Sequence, residues 1–273
     1  MNPLRALMLV LVSVISLLFT EQVRSQVVTG IEVVSYSAGT GTSLNDSSAA
    51  LGLPSATVDG PFGNFGELNP FNPHYSADEI VQIGSGGELT LRLTNYVTLD
   101  DSSGVLELGV LENVFLIDAG GGTNNNPASS FGADSAVLEV SDDGVNFFSL
   151  GLQEFNQAGN YWSDSLGEGL AGTTVADFGK PFEAALGDFD GLSFSDTLAD
   201  FNGSGGGTWF DVPTSLGITE IGWIRFSGVT TGTLEVDSVF GNSALKGAAT
   251  IPEPSSLLLL LFGMSWLMLW KRK

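Results

Sequence analysis

The stretch ELTLRLT, residues 88–94, decides the fold class, because polar and apolar side chains alternate through it without interruption. A period of two residues is typical of a β-strand that buries one face and exposes the other. This period places Leu89, Leu91 and Leu93 on the core face. The chain is therefore expected to build its core from β-sheet.

Further strands are predicted on both sides of this stretch. They are Val27–Tyr36, Val105–Ile117 with an expected break at Gly109, Ala136–Val140, Val145–Leu150, Ile221–Phe226 and Gly232–Phe240. The Asp-Gly pair at 143–144 predicts a hairpin, since this pair between two β-rich runs is a strong turn signal. The last two strands are expected to form a closing pair, joined by a Thr/Gly turn. No helical period stands out in the body, so the predicted fold is all-β, an antiparallel β-sandwich.

The composition excludes several classes of function. The formal net charge is −22, and the basic residues between positions 26 and 250 are Arg92, Lys180, Arg225 and Lys246. Such a surface repels nucleic acid and anionic lipid, whereas it attracts cations, calcium included. The sequence contains no cysteine, which excludes disulfides and thiolate zinc sites.

Three long segments between the predicted strands are polar and rich in glycine. They are Gly60–Tyr75, Gly120–Ser130 and Asn156–Gly207. We expect the first and last to be ordered, because leaving large aromatic side chains in water would be costly. The aromatic residues concerned are Phe62, Phe65, Phe71, Trp162 and Phe194.

Residues 1–25 have the features of a secretory signal peptide. Arg5 gives a positive first region, Ala6–Phe19 forms the apolar region, and residues 23–25 precede the expected cleavage position. The mature chain would begin near Gln26. An uncleaved N-terminal anchor is the alternative interpretation.

The C-terminal segment, residues 251–273, combines three features in a fixed order. They are the motif Pro252, Glu253 and Pro254, an apolar run that includes Leu257, Trp266 and Trp270, and the basic tail Lys271, Arg272 and Lys273. Because proline cannot continue a helix backwards, a helix is predicted at 255–270, about sixteen residues against the roughly 17–25 of a typical membrane span. Its tryptophans and basic tail are typical of a cytoplasmic membrane interface. Residues 244–250 are small and polar, as expected of a linker to the body at 26–243.

This order of motif, apolar helix and basic cluster closely resembles the PEP-CTERM sorting signal of exopolysaccharide-producing bacteria. The resemblance implies processing by an exosortase, an integral-membrane cysteine protease or transpeptidase. It also implies that the protein is anchored in the inner membrane before processing and then reaches the cell surface or the extracellular matrix. A plain membrane anchor is the alternative.

The body carries a second resemblance, spread over several short motifs. They are Ala49–Pro54, Val81–Leu91, Leu111–Asn113, Val140–Phe147 and a final strand with Asp237. Together they are similar to secreted jelly-roll domains related to discoidin-like and carbohydrate-binding sandwiches. Asp100–Leu108 departs from that pattern, since those relatives carry a Gly/Pro-rich acidic turn there.

Catalytic signatures are weak in this sequence. The single histidine, His74, lies in a loop, where histidine is more often a surface or hydrogen-bonding residue than a base. No Gly-x-Ser-x-Gly motif is present. Asp142 and Asp143 are better explained by turn chemistry than as an acid/base pair. The protein is therefore not expected to be an enzyme.

Calcium is the candidate inorganic partner, since it takes oxygen ligands from carboxylates and carbonyls. The proposed ligands are Asp100, Asp101, Glu112 and Asp237, strand-end carboxylates that would converge in a jelly roll. Asp188 and Asp190 form a second, shorter cluster. Neither set has the spacing of an EF-hand loop, so solvated acidic loops remain the simpler interpretation.

Aromatic residues give a further choice between a site and a core. Trp162, Phe194, Trp209 and Trp223 would suit a sugar-stacking platform, although core or loop-filling positions are the more frequent use of such residues. The predicted function is therefore an exported, non-catalytic surface or matrix protein with a structural or adhesive role. The alternatives are a calcium-assisted exopolysaccharide-binding module and a secreted glycan-active enzyme.

Overall fold

The computed structural model describes residues 27–60, 63–118, 128–131 and 133–250. The predicted signal peptide, the whole C-terminal segment at 251–273, Phe62 and most of Gly120–Ser130 lie outside these residues. No helix within the described ranges has both the length and the apolar character needed to cross a membrane.

The described residues form mainly β-strands. These are β1 Val28–Ser37, β2 Thr57–Gly60, β3 Gly63–Glu67, β4 Val81–Ile83, β5 Glu88–Thr98, β6 Leu108–Glu112, β7 Leu116–Asp118, β8 Ala128–Phe131, β9 Asp134–Ser141, β10 Phe148–Phe155, β11 Thr208–Phe210, β12 Glu220–Ser227, β13 Leu234–Gly241 and β14 Lys246–Thr250. One short α-helix, α1, spans Phe194–Asp200 in this part of the chain. Short 3₁₀ helices occupy Ser47–Ala50, Leu186–Phe189, Thr214–Leu216 and Ser243–Leu245.

The strands of the main sheet follow the order β10-β9-β12-β5-β1-β13-β6-β11, with β4 on β13 and β14 on β5. Strand β1 joins two parts of this sheet, which we call its arms: β10-β9-β12-β5 on one side and β13-β6-β11 on the other. Val28 and Thr29 pair with β13, and the pairing passes to β5 from Gly30 onward. Glycine suits this change of partner, since a Cβ on Gly30 would lie 3.2 Å from Val239 Cγ2. Each pair in the described sheet is antiparallel, which confirms the predicted all-β, antiparallel character of the fold.

The sheet curls until its two end strands meet through side chains. The rings of Phe155, in β10, and Phe210, in β11, lie 5.4 Å apart edge to face. The Asn156 amide donates to Thr208 Oγ1 at 2.9 Å beside them. The curled sheet encloses the main core, in which Leu89, Leu91 and Leu93 are fully buried as predicted.

The predicted closing pair of Ile221–Phe226 and Gly232–Phe240 is wrong. Strand β12 pairs with β5 and β9, whereas β13 pairs with β1, β4 and β6. Each strand buries an alternating apolar face and takes neighbours on both edges, so the turn between them crosses from one arm to the other.

The expected break at Gly109 is also wrong, because β6 runs through it and ends at Glu112. A Cβ on Gly109 would lie 2.6 Å from the Trp209 ring, so this glycine allows the indole of the neighbouring strand to pack on the backbone.

The hairpin predicted around Asp143-Gly144 is confirmed as β9 and β10. The Asp143 carboxylate accepts the Val145 and Asn146 amides at 2.8 Å each.

The segment at 244–250, expected to be a linker, contains β14. This strand pairs with β5 at Lys246↔Val97 and Thr250↔Asn95. The register of β1 on β5 ends at Leu93, so the last part of β5 offers a free backbone edge that β14 fills.

The long segment Asn156–Gly207 is ordered, as expected, although no helix was predicted in it. It contains α1 and part of a second apolar cluster, in which the rings of Phe182 and Phe201 stack at 4.2 Å. Phe194 is buried, whereas Phe65 in the earlier segment is 46% exposed. Burial of phenylalanine therefore explains the order of the second segment better than that of the first.

Candidate functional site

The structure places the four predicted calcium ligands at three separate positions. Asp100 and Asp101 follow β5, where they hold the loop: Asp100 accepts the Ser102 amide at 2.8 Å and Asp101 accepts the Thr214 amide at 3.0 Å. Hydrogen bonds to Ser102 and Thr214 lower the pKa of the two carboxyls below the usual range. Both side chains therefore act as local turn acceptors.

Glu112 closes β6 at the opposite end from this loop. Glu107, which bonds the Asp100 amide, precedes β6, so five strand residues, roughly 16 Å, separate the two places. The Glu112 side chain is buried, and neither carboxylate oxygen has a hydrogen-bond partner among the described residues. Burial raises the pKa of Glu112 well above its usual value, and the charges of Asp134, Glu235 and Glu154 raise it further.

Asp134 belongs to the same neighbourhood. Burial, assisted by the charge of Glu235, raises the pKa of Asp134 from 3.8 to about 6. We call Glu112, Asp134, Glu154 and Glu235 the acidic group. Glu235 itself accepts hydrogen bonds from Gln82 Nε2 at 2.7 Å and Asn113 Nδ2 at 2.9 Å. Burial first, and the charges of the acidic group second, thus favour the protonated form of Glu112.

Asp237 lies elsewhere, in β13, at a bulge between Val236 and Ser238. Its Oδ2 lies 2.5 Å from Nδ1 of His74, and both side chains are almost fully buried. His74 is therefore a hydrogen-bonding residue and not a surface one. The four predicted ligands do not converge, and across the described ranges no three His, Asp or Glu residues are placed to hold a metal ion. Asp188, of the second predicted cluster, accepts the Ala185 amide at 2.7 Å.

The His74–Asp237 pair has a third member, Glu79. Glu79 Oε1 lies 4.0 Å from His74 Nε2, and its carboxylate accepts the Asp59 amide at 2.6 Å and the Tyr75 and Ser76 amides at 3.1 Å. Burial alone would lower the pKa of His74, but the hydrogen bond to Asp237 and the charges of Asp237 and Glu79 outweigh it and raise the pKa. These contacts favour the imidazolium form of His74 and tie β13 to the loop before β4.

A cleft of about 290 Å³ opens above this cluster. Glu79 and Asp237 form its buried floor, Leu51 lies in its wall, and Asp46, Leu53 and Asp78 lie exposed at its rim. Asp46 accepts the Ser48 amide as N-cap of the 3₁₀ helix Ser47–Ala50. The cleft is the candidate functional site, since it combines a concave shape with buried charged groups.

Sequence reasoning missed this site. His74 and Asp237 are 163 residues apart, and only the chain topology brings them together. Two signals were present in the sequence: a lone histidine in a strongly acidic body, and acidic residues that alternate with apolar ones in the predicted strand Gly232–Phe240. A buried histidine in such a chain is expected to pair with a carboxylate.

The aromatic residues considered as a sugar platform serve as packing. Phe194 and Trp209 are buried, and the Trp223 ring packs edge to face on Tyr96 at 6.1 Å. Trp162 donates from Nε1 to Glu67 at 2.7 Å. These contacts confirm the core and loop-filling interpretation.

Comparisons with protein-family models, curated proteins and solved structures found no match to this chain. The class that the structure defines is an antiparallel all-β protein with a nearly closed sheet.

Proposed function

We propose that this chain is an exported, non-catalytic protein of the cell surface or extracellular matrix, with a structural or adhesive role. An exosortase would sort it through Pro252, Glu253 and Pro254, the motif that resembles the PEP-CTERM signal. The observation that supports this most is that the fold continues to the tail: β14 ends at Thr250, two residues before that motif. The body would therefore be displayed close to its point of attachment.

The non-catalytic part of the proposal is supported by the state of His74. The sequence has one histidine, and its side chain is 1% exposed and bonded to Asp237. A side chain sealed in this way cannot reach a substrate to take a proton. The remaining bases are carboxylates, of which Glu79 and Asp237 are already occupied by protein donors.

We also propose that the two arms of the sheet form a jelly-roll-like sandwich, as the resemblance of the body to discoidin-like domains implies. The change of partner along β1 and the contact between β10 and β11 support this assignment. Both features bring the inner faces of the two arms onto one core.

The experiment for sorting is deletion of Pro252–Pro254 in the native host, followed by intact-mass measurement of protein from surface, medium and membrane. The mass of the wild-type protein should correspond to a chain that ends near this motif. The deletion variant should remain in the membrane, with a mass that corresponds to a chain still ending at Lys273. A second deletion, Lys271–Lys273, leaves the motif intact and tests separately whether the basic end of the same signal is needed. Unchanged release and mass after the motif deletion would mean that the tail is only an anchor.

A second candidate is an exopolysaccharide-binding module, and the cleft favours it. Its volume of about 290 Å³ is close to the lower limit of small-molecule sites and suits one sugar ring. A shift of the melting temperature with calcium would support the calcium-assisted form of this candidate, and a shift with polysaccharide alone would support binding without calcium.

A further inference from the structure

Strand β14, Lys246–Thr250, has fewer partners on β5 than the other strand that shares this edge. Its register consists of two pairs, Lys246↔Val97 and Thr250↔Asn95, with an irregularity between them. Strand β1 makes six pairs with β5 on the neighbouring part of the edge. Between its two pairs β14 contains a glycine and two alanines, which offer little apolar area to bury. Local opening is therefore expected to begin at β14 before it reaches β1.

The chain just before β14 is fixed to the body independently of β14. The Asn242 amide donates to the Glu107 carbonyl, and Asn242 Nδ2 donates to the Leu106 carbonyl, both at 2.8 Å. Leu245 then packs, partly buried, against the main core. Strand β14 can thus leave β5 while the remainder of the sheet and the core stay in place.

The edge of β5 leaves no room for β14 to continue beyond Thr250. The Thr29 amide, in β1, donates to Thr94 Oγ1 at 3.2 Å, one residue along β5 from the pair of Thr250 and Asn95. The next part of this edge is therefore occupied by β1. Pro252 follows two residues after Thr250 in the sequence, a chain length of at most about 7 Å.

An enzyme that cleaves near Pro252–Pro254 has to bind the chain on both sides of the bond that it breaks. A peptide that binds as an extended strand uses its main-chain hydrogen bonds and alternate side chains for recognition. While β14 pairs with β5, the main chain before the motif is already engaged in the sheet. Release of β14 would lengthen the free chain between Leu245 and Pro252 to roughly 23–25 Å, enough to enter a cleft away from the body.

We propose that β14 is a strap with two alternative partners: β5 in the folded body, and the extended-peptide cleft of the processing enzyme during sorting. The enzyme takes up residues 246–250 as a strand when the strap opens, and the small side chains of this segment suit a narrow cleft. A body with a closed strap is protected from cleavage. This proposal rests on the proposed sorting through Pro252, Glu253 and Pro254, and adds to it a recognition segment and an opening step.

An engineered disulfide tests the strap, since the sequence contains no cysteine that could form another. A Cβ on Gly247 would lie 3.1 Å from Tyr96 Cβ, near the roughly 3.5–4.5 Å typical of a disulfide. The double variant Gly247→Cys with Tyr96→Cys should hold β14 on β5. Intact-mass measurement in the native host should then show at least tenfold less processed protein than for the wild type, and a reductant in the medium should restore processing.

The single variants Gly247→Cys and Tyr96→Cys are the matched controls, because they carry the same substitutions and leave the strap free. Both should be processed as the wild type is. Equal processing of the double variant and the wild type would overturn the proposal. Loss of processing in the Tyr96→Cys variant would also overturn it, because the effect would then come from the missing ring.

Trypsin gives a second measurement that does not depend on the host. Cleavage after Lys246 requires the strap to leave β5, so in full-length protein in mild detergent it should be at least tenfold slower for the oxidised double variant than for the reduced one. Equal rates would overturn the strap and leave the sorting proposal intact. An unprocessed wild type in the native host would instead refute sorting, so the two failures are distinguishable.

Discussion

Neutralising Asp134 should stabilise the protein at neutral pH. In the folded state the pKa of Asp134 is raised from 3.8 to about 6, by burial first and by the charge of Glu235 second. A shift of about two units corresponds to about 3 kcal/mol of lost stability when the group is ionised. The carboxyl is only half-buried, so solvent screening reduces the expected effect to about 1–2 kcal/mol.

The pH range in which ionised Asp134 destabilises the fold follows from the direction of its pKa shift. A raised folded-state pKa means that the stability associated with the protonated form is complete below about pH 3.8 and is lost as the pH rises through about 6. Asp134→Asn removes this loss. Its melting temperature should exceed that of the wild type by about 2–6 °C at pH 7.5, and the difference should shrink towards zero near pH 3.8.

Differential scanning calorimetry of the variant between pH 4 and 8 measures this difference. Asp190→Asn is the matched control, since Asp190 is exposed and lies outside the acidic group; it should change stability by less than about 0.5 kcal/mol at any pH. A gain that is the same at pH 4 and pH 7.5 would refute the electrostatic reasoning. A loss at pH 7.5 would mean that the Asp134 carboxylate has a stabilising partner.

Two further perturbations test the packing around the site. Asp237→Asn leaves the imidazolium of His74 without its carboxylate, which should cost about 3–5 kcal/mol in urea denaturation at pH 6. Because the pKa of His74 is raised in the fold, the wild-type advantage should be lost as the pH rises through that raised value, and an equal cost at pH 6 and pH 9 would contradict the ion pair. Gly109→Ala forces a Cβ to within 2.6 Å of the buried Trp209 ring and should lower the free energy of unfolding by about 1–3 kcal/mol, and an unchanged urea midpoint would show that the indole can move aside.

The fold class was predictable because it depends on local alternation. Leu89, Leu91 and Leu93 alternate with polar residues, and the structure buries all three. The pairing of strands was not predictable in the same way, because it depends on which arm each strand joins. Strands β12 and β13 are adjacent in the chain but lie in different arms. A short connection favours a hairpin only when both strands lack other partners on their edges.

The candidate site was less predictable than the fold for the same reason. The sequence analysis chose Asp237 and Glu112 as strand-end carboxylates, and both are buried. It assigned them to one calcium site, because strand-end position was the available guide. The sequence does not show on which face of the sheet each of these two carboxylates lies. A single extra residue in a strand moves the residues that follow it to the other face.

The bulge in β13 is where this change occurs. Val236 pairs with Glu112 and Ser238 pairs with Leu111, so Asp237 is the additional residue between two consecutive pairs. Val236 packs in the main core and pairs with Glu112, whose carboxylate has no hydrogen-bond partner among the described residues, while Asp237 bonds His74 and lines the cleft. Bulges recur where a side chain has to be redirected at a site. In this protein the bulge separates two carboxylates that are close in the sheet, so that Glu112 is buried beside other carboxylates while Asp237 is buried against His74.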